Sequence, residues 1–181
     1  MLKAVNSIGA SSSLVGHVLF AAVPNAPAAG PVSDPLITNK ERIRVTWAGT
    51  GPTDTGGSEI LSYVLEMDDG AGGDFRPLTG GESTQFLKLS YTVYEGIAEG
   101  ATFRFRFRAR NAVGWSAYSP IVYIEAASRP GTPPPPRLTA SSSTGLMLAL
   151  FPATEDGGAS ITSYKIFRDD GNALSASSYA L

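Results

Sequence analysis

"TFRFRFRARNAVG", residues 102–114, carries Arg104, Arg106, Arg108 and Arg110 in strict alternation with Phe103, Phe105, Phe107 and Ala109. Successive side chains of a β-strand leave opposite faces, whereas a helix would scatter both sets around its axis. The stretch predicts a strand with an aromatic face turned inward and a cationic face turned outward.

Composition narrows what such a strand serves. A chain of 181 residues holds one or two domains. Its formal net charge of -2 lacks the basic excess of a nucleic-acid binder, so no nucleic-acid partner is expected. Twenty glycines and 13 prolines point to many turns, and a hydrophobic share of 43% is enough for a packed core. There is no cysteine, so disulfides and thiolate metal sites are excluded. His17 is the only histidine, which argues against a His-based metal cluster or a Ser-His-Asp site. No Asn-x-Ser/Thr sequon occurs. The longest uncharged apolar run, "LVGHVLFAAV" at 14–23, is well short of the roughly 20 residues that cross a bilayer, so no membrane span is expected in this segment.

The chain repeats itself. In "KAVNSIGASSS" (3–13), Ala4, Asn6, Gly9 and Ser11 match Ala109, Asn111, Gly114 and Ser116 of "RARNAVGWSAY" (108–118) at an offset of 105. "GGSEILSYVLEMDDG" (56–70) and "GGASITSYKIFRDDG" (157–171) agree at 8 of 15 positions, at an offset of 101. A period near one hundred residues predicts tandem domains. Proline-rich joints at 24–31 and 129–136 divide the chain. Residues 1–23 read as the last strands of a preceding module, 24–128 as one whole module, and 129–181 as the first part of a following one. Strands are expected at 42–47, 62–67, 91–94, 103–110 and 121–126, with turns at "GTGPTDTGG", "DDGAGGD" and "AEGA". The strand at 42–47 places Ile43, Val45 and Trp47 on one face, and that at 62–67 places Tyr63, Leu65 and Met67 together.

The order of these motifs resembles the fibronectin type III domain. A proline-rich entry leads to a strand ending in Trp47. The "GGSEILSY" signature (56–63), the "IAEGATF" corner (97–103) and "FRFRARNAVGWSAYS" (105–119) follow. The resemblance implies an all-β, immunoglobulin-like sandwich of seven strands in two sheets, repeated in tandem. It implies a core built on Trp47, Tyr63, Leu65, Phe103, Phe105 and Phe107, with Asn111 and Gly114 shaping the loop between the last two strands. Phe103 stands where the family usually has a tyrosine, and Phe151 of the third repeat stands where Trp47 stands in the second.

"WSAYS" (115–119) is similar to the Trp-Ser-x-Trp-Ser box of cytokine receptors, whose aromatic rings interleave with arginines of the preceding strand. The expectation is a ladder with Trp115 among Arg104, Arg106 and Arg108, and with Tyr118 beside them. It serves as an exterior brace or as a partner contact. Glu66 and Asp68 share an outward parity on the probable neighbouring strand, where opposite charges pair across strands. "DDGAGGD" (68–74) lacks the further ligands of a calcium loop and reads as a hairpin turn. It recurs as "DDGNA" at 169–173. "DTGGSE" and "EDGGAS" lack the lysine and helix of a phosphate loop. Glu95 and Glu99 flank a corner and read as solvated acids. In "GLMLALF" (145–151), Met147, Ala149 and Phe151 are expected inward and Leu146, Leu148 and Leu150 outward as a candidate interface.

These residues predict no catalytic group, metal site or cofactor. They predict a structural or adhesive array whose partners are other protein modules, including copies of itself. The head (1–23) of one copy completing the tail (137–170) of another is a minority expectation. The resemblance favours an extracellular or cell-surface setting. An intracellular cytoskeletal scaffold, or a spacer beside a catalytic domain, is the alternative.

Overall fold

The computed structural model describes residues 2–14 and 20–168. His17 and the turn at 169–173 lie outside them. The chain forms two compact units, residues 1–127 and 128–181. Among the described residues there is no helix.

The first unit opens with a hairpin, β1 (Lys3–Val5) and β2 (Ala10–Ser12), whose residues are all exposed. β3 (Val32–Ser33), β4 (Ile43–Thr46), β5 (Ser62–Met67), β6 (Arg76–Thr79), β7 (Ser90–Val93), β8 (Thr102–Arg110) and β9 (Val122–Glu125) follow. They assemble into a three-stranded sheet ordered β3-β4-β7 and a four-stranded sheet ordered β6-β5-β8-β9, with every pair antiparallel.

Alternation decides what lies between the sheets. Ile43 and Val45 on β4, Val93 on β7, and Phe103, Phe105, Phe107 and Ala109 on β8 are buried together. Trp47, just past the end of β4, continues the inner row because its amide donates to the Leu89 carbonyl at 3.0 Å. Its ring centroid lies 5.6 Å from Phe107 and 6.4 Å from Tyr63. Leu65 and Met67 complete the centre. All six core residues named from the sequence are buried in this cluster. Within these two sheets, two strands are not among those expected from the sequence. β3 has only two residues, and β6 contains Pro77, which is tolerated because β6 is the edge of its sheet.

The loops before and after the strands are tied by a recurring geometry. The Ala22 amide donates to the Gly56 carbonyl at 2.8 Å, and that of Asn25 to Asp54 at 2.9 Å. In the second unit, Ser128 donates to Gly157 at 2.7 Å and Gly131 to Glu155 at 2.9 Å. Gly56 (φ 69°) and Gly157 (φ 76°) are in the left-handed region. A Cβ at either would lie 2.3 Å from the Ala22 oxygen or 2.4 Å from the Ser128 oxygen, so glycine is required twice over. A second correspondence joins Asn6 and Asn111. Asn6 Oδ1 accepts from the amides of Ile8 and Gly9, and Asn111 Oδ1 from those of Val113 and Gly114.

The second unit contains the hairpin β10 (Arg137–Ser141) and β11 (Leu146–Ala149). The inward and outward rows expected along 146–151 do not separate here. Met147 is 65% exposed and Leu146 66%, while Phe151 and Leu148 are both 40% exposed. No second layer covers either row among the described residues, so parity alone cannot sort them. Leu150 and Phe151 share an open apolar groove with Pro134, Tyr164 and Ile166.

Candidate functional site

The outward face of β8 forms a continuous stack of cations and rings. The Arg104 guanidinium lies 5.0 Å from the Phe75 centroid, and Arg106 lies 4.0 Å from it on the way to Tyr118, 3.8 Å away. Arg108 lies 4.5 Å from Tyr118 and 4.9 Å from Trp115, and Arg110 closes the stack 5.6 Å from Trp115. The order is therefore Arg104, Phe75, Arg106, Tyr118, Arg108, Trp115, Arg110. Each guanidinium over a ring contributes about 0.5–2 kcal/mol.

Two strand geometries produce this order. Outward positions on β8 recur every second residue, roughly 6.6–6.8 Å apart at the usual strand rise, which leaves room for one ring between neighbouring guanidiniums. The chain after β8 then doubles back. The amides of Ser116 and Ser119 donate to the carbonyls of Ala109 and Phe107, each at 2.8 Å, which lays residues 115–119 along the strand. The Ser116 and Ser119 hydroxyls accept in return from the amides of Ala109 and Phe107. Serine at these two positions pins the segment, and the residues between and beside them, Trp115 and Tyr118, reach over the arginines.

Carboxylates hold the stack on its other flank. In the β5–β8 register Glu66 faces Arg106, and the Asp68 amide donates to the Arg104 carbonyl. Arg106 meets Glu66 at 2.7 Å, and Arg104 meets Asp68 at 2.7 Å. Glu66 also accepts the Tyr118 hydroxyl at 2.6 Å. Burial and then the Glu66 bond and charge push the Tyr118 phenol above its ordinary value. Asp68 is 1% exposed. Burial alone would raise its carboxyl, but the backbone and side-chain hydrogen bonds of Arg104 and the Gly70 amide outweigh it, so the acid is held below its usual range. Arg104 reaches on to the Gly73 carbonyl. Glu82 accepts the Trp115 indole N–H at 2.7 Å and pairs with Arg110 at 3.5 Å.

The arrangement corrects the expected ladder in two respects. Trp115 touches Arg108 and Arg110 rather than Arg104 and Arg106, because residue 115 bridges to residue 110 as the chain turns back. Phe75 supplies the ring for Arg104 and Arg106 instead. Phe75 and Glu82 were missed because both sit in irregular segments flanking β6, where periodicity gives no face.

The remaining motifs resolve into structural roles. Asp69 accepts the amides of Ala71 and Gly73, which keeps its carboxyl below the usual range and organises the 68–74 turn. Among the described residues no group of three metal-ligating side chains assembles. Glu99 pairs with Lys40 at 3.4 Å. Asn111 is buried, and its Nδ2 donates to the Ala22 carbonyl at 2.6 Å and to that of Thr55 at 2.8 Å.

Mouse (Mus musculus) fibronectin type-III domain-containing protein 3A is 30% identical over 179 residues, 94% of this chain and 14% of the relative. Chicken (Gallus gallus) protein sidekick-2 is 31% identical over 130 residues, 72% of this chain and 6% of the relative. A solved fourth fibronectin type III domain from human matches with a TM-score of 0.50 at 22% identity, over 73% of this chain and 95% of that one. The chain contains a fibronectin type III-like domain. Chicken CNTN1 domains FN1–FN3 share the fold, with a TM-score of 0.51 at 16% identity, over 75% of this chain and 45% of theirs. No protein-family profile matches the chain. It spans about 14% of the length of the protein 3A relatives from mouse and chicken. No helix among the described residues is long and apolar enough to cross a membrane.

Proposed function

We propose that this chain is a non-enzymatic segment of a tandem fibronectin type III array, which acts by spacing modules and by presenting the outward face of β8 to protein partners. The observation that carries the reading is the stack on β8. Its arginines are held by rings on their faces and, at three rungs, by carboxylates, so a defined cationic relief is presented with little side-chain entropy left to lose on binding. The sequence repeats and the matching turns at Asn6 and Asn111 support the tandem arrangement. A cell-surface or extracellular fibre, coat or scaffold is the preferred setting. The relatives include both sidekick-2 and a nematode titin homolog, and the second of these favours the intracellular scaffold as the alternative.

Tyr123 offers a direct test. It is 67% exposed and lies directly opposite Arg104 in the β8–β9 register, so it leaves the sheet beside the stack without being part of it. Replacing it with p-benzoylphenylalanine in the full-length protein and irradiating intact cells is expected to give adducts with another polypeptide. The same probe at Leu36, which is 89% exposed and lies in another loop, is expected to give far fewer. Equal labelling from both positions would refute the reading. Protease accessibility of the same adducts on unbroken cells distinguishes the two settings.

A further inference from the structure

Three of the four arginines on the outward face of β8 have a carboxylate of this chain within 3.5 Å: Arg104 with Asp68, Arg106 with Glu66 and Arg110 with Glu82. Arg108 has no such partner among the described residues. The register explains the omission. β5 sets Ser62, Val64 and Glu66 opposite Arg110, Arg108 and Arg106, and a valine cannot supply the acid. Glu82 reaches Arg110 from a loop, and nothing comparable reaches one rung further. The Nε of Arg108 is buried with no hydrogen-bond partner.

The two faces of the Arg108 guanidinium are taken by Trp115 at 4.9 Å and Tyr118 at 4.5 Å. Guanidinium donors lie in the plane of the group, so a further partner must approach its edge and must accept hydrogen bonds. Four arginines against three carboxylates leave one unit of positive charge, centred at this rung. We propose that Arg108 is the seat for a single carboxylate, an Asp or Glu side chain of a partner protein, which completes the series begun by Asp68, Glu66 and Glu82. The proposal rests on the interaction reading above and names the chemistry of its partner.

The surroundings select for a lone carboxylate. Glu66 and Glu82 stand on either side of the rung, so a phosphate dianion, a polyanion or an anionic membrane surface brings more negative charge than the rung can balance. A side-chain carboxylate matches the one uncompensated charge and fits the in-plane fork of an arginine. The net charge of -2 on the chain likewise disfavours long-range capture of polyanions.

The test uses the 15N-labelled 181-residue chain and reads the arginine Nε–Hε signals at constant ionic strength. The probes are blocked Gly-Glu-Gly, blocked Gly-Gln-Gly and inorganic phosphate. Gly-Glu-Gly is expected to shift the Arg108 signal and the neighbouring Trp115 indole N–H along one saturating curve, with Arg104 and Arg106 nearly unmoved. Gly-Gln-Gly is expected to produce no shift. Arg108→Lys, read on Trp115, is expected to weaken binding about tenfold because the fork is lost while the charge remains. Val64→Glu places a carboxylate of the chain opposite residue 108 and is expected to block the probe.

An unmoved Arg108, equal response to Gly-Gln-Gly, or phosphate binding as tightly as Gly-Glu-Gly would each overturn the proposal. The wild-type arms decide it even where Val64→Glu does not fold. Adducts from position 123 with an unresponsive Arg108 overturn the seat and leave the interaction reading standing. A saturating Arg108 response with no adducts supports the seat and overturns that reading.

Discussion

Replacing Asn111 with alanine removes a side chain that joins three segments. Its Oδ1 accepts from Val113 at 2.9 Å and Gly114 at 3.1 Å, and its Nδ2 donates to Ala22 at 2.6 Å and Thr55 at 2.8 Å. Intramolecular hydrogen bonds contribute about 0.5–1.5 kcal/mol net, so four give roughly 2–6 kcal/mol. Ala22 is exposed, and its carbonyl recovers part of its bonding from water, which places the expected loss near 3 kcal/mol. For a domain of roughly 100 residues that corresponds to a fall in Tm of about 12–24 °C. Urea unfolding followed by the fluorescence of buried Trp47 measures it. Asn6→Ala is the internal control. Asn6 makes the same turn, with bonds of 2.9 and 3.0 Å to the amides of Ile8 and Gly9, but it is exposed and belongs to a hairpin outside the core. Its replacement is expected to leave the transition within about 0.5 kcal/mol of wild type. Asn111→Asp keeps the acceptor for Val113 and Gly114 but turns a carboxylate toward two carbonyls, so it retains most of the loss. A loss below about 1 kcal/mol for Asn111→Ala, or equal losses at Asn6 and Asn111, would refute the view that this amide clamps the loops together.

Three further outcomes follow from the same contacts. Gly56→Ala is expected to cost at least about 1–3 kcal/mol by chemical denaturation, because a left-handed residue acquires a Cβ that meets the Ala22 carbonyl. Tyr118→Phe keeps the ring between Arg106 and Arg108 but removes the bond to Glu66. It is expected to lower stability by about 1–2 kcal/mol at neutral pH and to abolish the part of the loss above about pH 10 that ionising a raised phenol causes. Asp68 has a folded pKa below its ordinary 3.8, so its contribution is present above that value and lost as pH falls through the folded one. Urea midpoints measured from neutral to about pH 2 should therefore fall less steeply in Asp68→Asn, which starts from a lower stability.

Much of the fold was legible because one strand declares itself. Phe103, Phe105 and Phe107 against Arg104, Arg106 and Arg108 admit no helical reading, and the neighbours of β8 inherit their parity from it. Glu66 and Asp68 were legible as partners for the same reason. The stack was legible only in outline. Its two outer rings depend on how residues 68–75 and 110–115 turn, and turns carry no period from which to infer a face. Phe75 therefore carries no signal in the sequence, and Trp115, expected among Arg104, Arg106 and Arg108, lies at the Arg108–Arg110 end of the stack. β6 was hidden by Pro77, a residue that argues against a strand except at a sheet edge, and edges are set by partners far away in sequence. The rows of β11 failed for another reason. Parity assigns two faces, but burial needs a facing layer, and none covers Met147 or Phe151 among the described residues.

Ala22 lies ahead of the proline-rich stretch that opens at Pro24, yet it is hydrogen-bonded to Gly56 and Asn111. A recombinant fragment begun at the proline would thus amputate a strut of the domain it was meant to isolate. A fragment begun upstream of Phe20 would keep that strut in place.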